Sequence, residues 1–213
     1  MSLAAYIDYT LLKPDCTPAQ IDTLCEEARK HSYRTVCIPP IYVAHAAAAL
    51  AGSAVGVCTV VGFPLGYDVV PVKLLAVQTA LAAGATEVDA VINLGHVKAK
   101  AHSSLQAELT ALRAGTPGIT LKIIVESGLF TVEELAPVLQ LCTTAGVDFV
   151  KTSTGFTAIG AELDKVSYMR THLPPHIQIK ASGGIRTAEQ AMAFIQAGAT
   201  RIGTSALLTK AQN

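Results

Sequence analysis

Three charged residues interrupt apolar runs that otherwise have the composition of buried strands: Asp89 in "EVDAVIN", Lys151 in "DFVKTSTGF" and Lys180 in "IQIKASGGI". A lysine in such a run must find partners, give up its proton or reach for solvent. A lone lysine is best read as a strand end whose side chain snorkels to water. Two lysines in equivalent places call for another account. Because side chains alternate along a strand, Lys151 shares a face with Ser153 and Lys180 shares one with Ser182, so both amines can point inward from neighbouring strands. Facing ammonium groups repel, and burial adds to the cost; the same physics lowers the pKa of one lysine and yields a neutral, nucleophilic amine. A nearby carboxylate would balance the remaining charge and carry protons, a role for Asp89. The bland alternative is an inward ion-pair cluster that only fills space.

A second set of residues suits phosphate. "SGGIRT" follows the Lys180 run and "GTSALL" follows the last apolar run, and glycine-rich turns with hydroxyls and backbone N–H groups cradle anions. Gly183, Gly184, Thr204 and Ser205 are the candidates, with Thr154 and Gly155 after the Lys151 run as further donors.

The elements that would carry these residues follow one grammar. "AGATEVDAV", "AGVDFVKTS" and "AGATRIGTS" each end a helix at glycine and open a β-branched run. The helices before such joints start with capping-box patterns: "TPAQ" at Thr17, with Pro18 at the first helical position, "TVEE" at Thr131 and "TAEQ" at Thr187. Strands are expected at "YIDYT", "TVCI", "VGVCTVVG", "EVDAVIN", "LKIIVE", "DFVKTS", "IQIKAS" and "TRIGTS". Eight strands alternating with helices, most of them apolar on both sides, predict a single (β/α)8 TIM barrel over residues 1–213, with function at the carboxyl ends of the strands and phosphate after strands seven and eight. A doubly wound open sheet is the second choice. Its nucleotide-binding forms have no support, since neither G-x-G-x-x-G after the first strand nor a Walker A sequence occurs.

Composition narrows the setting. Lysine plus arginine and aspartate plus glutamate each number 16, so the net charge of zero leaves no electrostatic footprint for nucleic acid or an anionic membrane. The charge-free stretch between Arg34 and Asp68 has membrane-like hydropathy, but Pro39, Pro40, Gly52, Gly56, Gly62 and Pro64 cut it into strand-length and short-helix pieces. Five cysteines without a metal-ligand spacing point to reduced thiols in the cytoplasm. Asp8 comes too early for a signal peptide's apolar region. His96 and His102, six apart, do not share a helical face and are read as surface. Lys122, near the start of its strand, is assigned to the stability face; Glu126 is nearer the functional rim, with no role assigned. Cys37 is expected to be a core thiol, open to alkylation if aldehydes come near.

The segments "YIDYTLLKPD", "VCTVVGFPLG", "EVDAVINLG", "DFVKTSTGF", "KASGGIRT" and "RIGTSALL", in this order over nearly the whole chain, resemble the deoxyribose-phosphate aldolase family. The resemblance implies a class I aldolase without metal or other cofactor. Its partners would be a sugar phosphate and aldehydes, with a homodimer as one assembly to consider. Carried over residue by residue, it makes Lys151 the Schiff-base lysine, Lys180 the lysine that lowers its pKa or relays protons, and Asp89 a proton-transfer group, with Asp8 and Thr10 beside the relay. The chain departs from the pattern at Tyr9, where histidine is usual, at Pro39, where asparagine is frequent, and at Ala206, where a second serine is frequent. The last change removes one phosphate hydroxyl and leaves its backbone N–H. A sugar-phosphate isomerase, a thiazole-synthase-like barrel and a non-catalytic sugar-phosphate binder are the alternatives.

Overall fold

The computed structural model describes residues 2–208; Met1 and residues 209–213, which the single-domain expectation includes, lie outside the described residues. The order of elements is β1 (Ile7–Thr10), α1 (Pro18–His31), β2 (Thr35–Ile38), α2 (Val43–Ala49), β3 (Gly56–Val61), α3 (Val70–Ala82), β4 (Glu87–Val91), α4 (Leu94–Lys98), α5 (His102–Ala114), β5 (Thr120–Ile124), α6 (Val132–Ala145), β6 (Phe149–Lys151), α7 (Leu163–His172), β7 (Gln178–Ser182), α8 (Ala188–Gln196) and β8 (Arg201–Thr204). Every strand pairs in parallel with its sequence neighbours, and β8 closes on β1, with Ile7 opposite Ile202. The closed barrel expected from the sequence is present, and the open-sheet alternative is excluded.

Local signals act where the sequence places them. Thr131 and Thr187 accept from the backbone N–H of Glu134 and Gln190, whose side chains accept from the threonine N–H in return. At Thr17 the Gln20 side chain accepts the cap N–H, and Pro18 opens the helix. Gly146 ends α6 in the left-handed region that a residue with a side chain enters only at a cost.

The main core lies between the sheet and the helices. On α6, Leu135, Val138, Leu139 and Cys142 recur at helical spacing and are buried; each aliphatic side chain so placed contributes about 1.5–3 kcal/mol. No helix among the described residues is long and apolar enough to cross a membrane, and the charge-free stretch resolves into β2, α2 and β3.

The inner face of the barrel differs from the sequence expectation. The expected two-sided apolar strands are apolar mainly toward the helices. Inside, a small cluster of Cys37, Cys58 and Val60 sits beside Asp8, Glu87, Asp89, Lys122, Lys151, Lys180 and Arg201. These charges are tolerated in a dry interior because each ammonium or guanidinium meets at least one carboxylate.

Candidate active site

Asp89 is the hub. Its Oδ2 accepts from Lys151 Nζ at 2.8 Å and from Lys180 Nζ at 2.8 Å, while its Oδ1 accepts from Lys122 Nζ at 2.8 Å and from the Cys58 thiol at 3.1 Å. Strand register makes this possible. Asp89 lies opposite Lys122 on β5, and Lys151 lies opposite Lys180 between β6 and β7, so one carboxylate on β4 reaches across the barrel to both lysines of the pair. Asp8 on β1 accepts from Lys180 at 2.5 Å and from Arg201 at 2.7 Å, and Glu87 lies 2.5 Å from Lys122 and 2.9 Å from Arg201. Lys151, Lys180, Asp89 and Asp8 are therefore brought together, as the sequence reading requires.

Among the described residues, three carboxylates face four cations in this network. Burial opposes the charge on Asp89, but Lys122, Lys151 and Lys180 outweigh it and hold the carboxyl well below its usual range. At Asp8 burial is likewise overcome by Lys180, Lys122 and Arg201. Burial also works against the Lys180 ammonium, yet Asp8 and Asp89 raise its pKa above the ordinary lysine value, so Lys180 keeps its proton. Lys122 is raised well above that value in the same way, with Asp89 the leading opponent of burial.

Lys151 is the lysine of the three that lines an open cavity. That cavity, of about 310 Å³, is also lined by Thr10, Thr154, Gly155, Gly183, Gly184, Thr204 and Ser205, which gathers every expected phosphate residue in one place with Lys151. Among the described residues the lining contains no carboxylate, and it adds two exposed cations, Lys13 and Arg186. Gly183 packs so close to Gly160 that a side chain would come within 2.9 Å of the latter's Cα, whereas at Gly184, with φ +83°, a side chain would meet no atom within 4 Å.

Two of the expected hydroxyl donors are already committed to the fold. Thr154 Oγ1 donates to Glu126 Oε2 at 2.5 Å, and Thr204 Oγ1 donates to the Ile185 carbonyl at 2.7 Å. Ala206 N–H, expected to stay available to phosphate, donates to Thr204 Oγ1 at 3.0 Å. These hydroxyls and this N–H are taken up within the fold, whereas Ser205 is exposed at the cavity.

Several contacts of the network escape the sequence reading. Lys122, read as structural, is bound to Asp89; Arg201 and Glu87 complete the same network. The sequence signal was present, since each is a charge inside an apolar run. Glu126, with φ +48° and fully buried, accepts from the Thr154 N–H and hydroxyl and from the Thr157 hydroxyl, so it ties down the turn after Lys151. Cys37 is a buried core thiol, as expected, in the cluster inside the barrel, and a hydrogen bond from Cys58 together with Lys180 lowers its pKa against the effect of burial. His96 and His102 fall on separate helices, α4 and α5.

Donor atoms of Cys37, Cys58 and Asp89, and of Asp8, Cys58 and Glu87, lie close enough to share an ion. Each carboxylate involved already accepts from Lys122, Lys180 or Arg201, so a metal would have to displace an ammonium or guanidinium.

The profile of the DeoC/LacD family of aldolases matches residues 3–213. The chain is 46% identical over 205 residues to deoxyribose-phosphate aldolase of Brevibacillus brevis, covering 96% of this chain and 93% of that one. It is 46% identical over 209 residues to deoxyribose-phosphate aldolase of Streptococcus mutans, covering 98% and 95%. Among solved structures, the deoxyribose phosphate aldolase of Aeropyrum pernix, a tetramer, superposes with a TM-score of 0.89 at 34% identity, covering 96% of this chain and 87% of the other.

Proposed function

The chain belongs to the DeoC/LacD family of aldolases, and on that premise we propose that it is a deoxyribose-phosphate aldolase that works through a Schiff base on Lys151. It reversibly cleaves 2-deoxy-D-ribose 5-phosphate to D-glyceraldehyde 3-phosphate and acetaldehyde. The observation that carries this reading is Lys151 Nζ at 2.8 Å from an Asp89 oxygen shared with Lys180, at the edge of a carboxylate-free cavity.

An imine forms only from an unprotonated amine. With three carboxylates against four cations, the network is balanced when Lys151 is the free amine and Lys122, Lys180 and Arg201 keep their protons. Lys151 attacks the C1 aldehyde, and loss of water gives the protonated imine. Removal of the C3 hydroxyl proton then breaks the C2–C3 bond; its electron pair flows to the imine nitrogen, glyceraldehyde 3-phosphate leaves, and an enamine of acetaldehyde remains on Lys151. Protonation at C2 and hydrolysis release acetaldehyde and restore the amine. Asp89, between Lys151 and Lys180, is the group we assign to move these protons, with Asp8 holding Lys180 in place. The phosphate lies in the half of the mouth formed by Thr154, Gly155, Gly183, Gly184, Thr204 and Ser205, with Thr10 nearby. The Thr154 and Thr204 hydroxyls support that cup from behind.

All five cysteines are unpaired, which suits a reducing cytoplasm. The direct test is cleavage of 2-deoxyribose 5-phosphate, followed as glyceraldehyde 3-phosphate release. Wild type turns over, and Lys151→Ala, at unchanged thermal stability, loses activity by 10³-fold or more on the order expected for a missing nucleophile. Turnover by Lys151→Ala near the wild-type rate would remove Lys151 from this role.

A further inference from the structure

Lys73 is buried as completely as Lys122 and Lys180, yet it stands in the helical layer, in the first turn of α3, and takes no part in the network around Asp89. Its Nζ donates to the Gly66 carbonyl at 2.6 Å, to the Val91 carbonyl at 2.7 Å and to Glu108 Oε1 at 2.5 Å. The three N–H bonds of an ammonium are thereby used once each. Glu108, on α5 and itself buried, turns its other oxygen to the Asn93 N–H at 3.2 Å, and Asn93 Oδ1 accepts from the His96 N–H at 3.1 Å where α4 begins. A buried ion pair is costly in desolvation, and apolar side chains of similar volume often stabilise a fold as well or better. What apolar side chains cannot do is hold two backbone carbonyls at fixed points.

Both carbonyls lead to the reaction cavity. Val91 ends β4, two residues after Asp89, and β3 pairs with β4 only as far as Val61 opposite Ala90. The Val91 carbonyl lies past that last pair, and Lys73 takes it where β3 has turned away. Gly66 closes the turn that follows β3, its N–H donating to the Gly62 carbonyl at 2.7 Å. At Gly62, with φ +61°, a side chain would come within 2.8 Å of Lys73 Cε, and at Gly66, with φ +75°, it would collide with the Ile92 carbonyl, so the turn is fitted to the lysine on one side and to the exit of β4 on the other. The turn carries Phe63, which packs on the Cys37, Cys58 and Val60 cluster inside the barrel and meets Phe156 edge to face with 5.2 Å between ring centroids. Phe156 lines the cavity of Lys151. One ammonium thus joins the strand that carries Asp89 to the turn whose ring stands against the cavity wall.

We propose that Lys73, held by Glu108, is a positioning residue for proton transfer at Lys151. The proposal rests on the Schiff-base reading above. Lys73 fixes the exit of β4 so that the Asp89 carboxylate stays within hydrogen-bond reach of Lys151 Nζ, where a displacement of about 1 Å costs on the order of 100-fold in rate. Without the ammonium the end of β4 and the turn after β3 move apart, whereas the glycine turns after β7 and β8 that line the phosphate half keep their places. The step that suffers is proton exchange at C2 of the acetaldehyde imine. There the C2–H bond breaks, its electron pair moves through the new C1–C2 double bond to the imine nitrogen, and the enamine so formed takes a proton back at C2.

The experiment compares the full chain as wild type, as Lys73→Met and as Lys73→Met/Glu108→Gln, the last with no charge of the pair left buried and an amide oxygen still able to accept from the Asn93 N–H. Acetaldehyde in D₂O reads exchange at C2 by NMR above an enzyme-free blank, borohydride trapping counts the sites that form the imine, and cleavage of 2-deoxyribose 5-phosphate gives kcat and KM. Rates are taken per trappable site, so unfolded protein does not enter them. Both variants should lose exchange and kcat by about tenfold to a hundredfold, the scale of a misplaced catalytic group, with KM held within about threefold. Leu24→Ala, which opens a cavity in the core beneath α1, is the stability control: it should lower Tm and leave exchange per site within about twofold. Exchange and kcat per site at the wild-type rate in the double variant, an equal loss in Leu24→Ala, or a raised KM with kcat unchanged overturns the proposal. So does a double variant with no trappable site, since the pair would then serve the fold or the imine and not proton transfer. A wild type that neither traps acetaldehyde on Lys151 nor cleaves 2-deoxyribose 5-phosphate overturns the Schiff-base reading instead.

Discussion

Lys122, Lys180 and Lys151 are three lysines in one barrel, distinguished by how many carboxylates each can reach. Among the described residues, Lys122 lies within 4.0 Å of Asp8, Glu87 and Asp89, Lys180 of Asp8 and Asp89, and Lys151 of Asp89 alone, on the oxygen it shares with Lys180. That gradient is what supports the proposal that the lysine at the cavity is the reacting amine. Lys180→Leu followed by borohydride trapping tests the pair: turnover lost with the Lys151 adduct retained assigns Lys180 to proton transfer, and turnover at the wild-type rate would leave it out of the reaction. The lysine pair was legible because a charge inside an apolar strand is costly enough to need a reason. Lys122 carried the same signal and was set aside for its place at the start of a strand. The register that puts Lys122 opposite Asp89 is a property of barrel closure, which no single segment displays.

At the scale of the elements, the loops after β5, β6, β7 and β8 form one unit. Glu126 accepts from Thr154 and Thr157, Ala161 N–H donates to the Gly183 carbonyl, and Ser182 Oγ donates to the Ser153 carbonyl, so the Lys151 turn and the Gly183 turn are tied to each other and to β5. Glu126→Gln keeps the shape but offers one acceptor oxygen to donors that now use two. We expect the loosened turn to raise KM for 2-deoxyribose 5-phosphate about tenfold, the scale of one lost charge-assisted hydrogen bond of ~1.5 kcal/mol, with a smaller effect on unphosphorylated 2-deoxyribose. Equal effects on both would make Glu126 a stability residue. Gly184→Leu places a side chain in open space beside the cavity at φ +83°. It should reduce the preference for the phosphorylated sugar over the free sugar by tenfold or more on the order-of-magnitude scale of a blocked subsite. Parallel losses on the two sugars would argue against phosphate at that turn. Gly183, Gly184 and Ser205, proposed as an anion cup for their glycine and hydroxyl content, line one cavity with Lys151. The Thr154 and Thr204 hydroxyls were read as ligands because a sequence shows a hydroxyl but not the carboxylate or carbonyl to which the fold directs it.

For the whole molecule, the charged interior links catalysis to stability. Asp8 and Asp89 are depressed in the folded state, so their contribution is present above the unfolded value of 3.8 and lost as the pH falls. Lys122 and Lys180 are raised, so theirs is complete below the unfolded value of 10.5 and lost as the pH rises through the folded values. In Lys151→Ala, Tm should therefore be flat with respect to these four groups from about pH 5 to about pH 9. A Tm of that variant that falls as the pH rises from 6 to 8 would contradict the charges assigned to them. Asp89→Asn leaves lysines buried without their shared partner and should cost ~3–5 kcal/mol, part of which Lys122→Met restores; no restoration would mean that Lys122 is not held by Asp89. The closed barrel was legible from eight expected strands, three of them opening after a glycine-terminated helix, and from capped helices, whereas its ionic interior required strands distant in sequence to be brought together. The central claim concerns one bond, between Lys151 Nζ and a substrate carbon. Borohydride added to the full chain with 2-deoxyribose 5-phosphate, followed by peptide mass mapping, tests it most directly: the account predicts a reduced adduct on Lys151, absent in Lys151→Ala and absent without substrate, and an adduct on Lys180 or Lys122, or none at all during turnover, would contradict it.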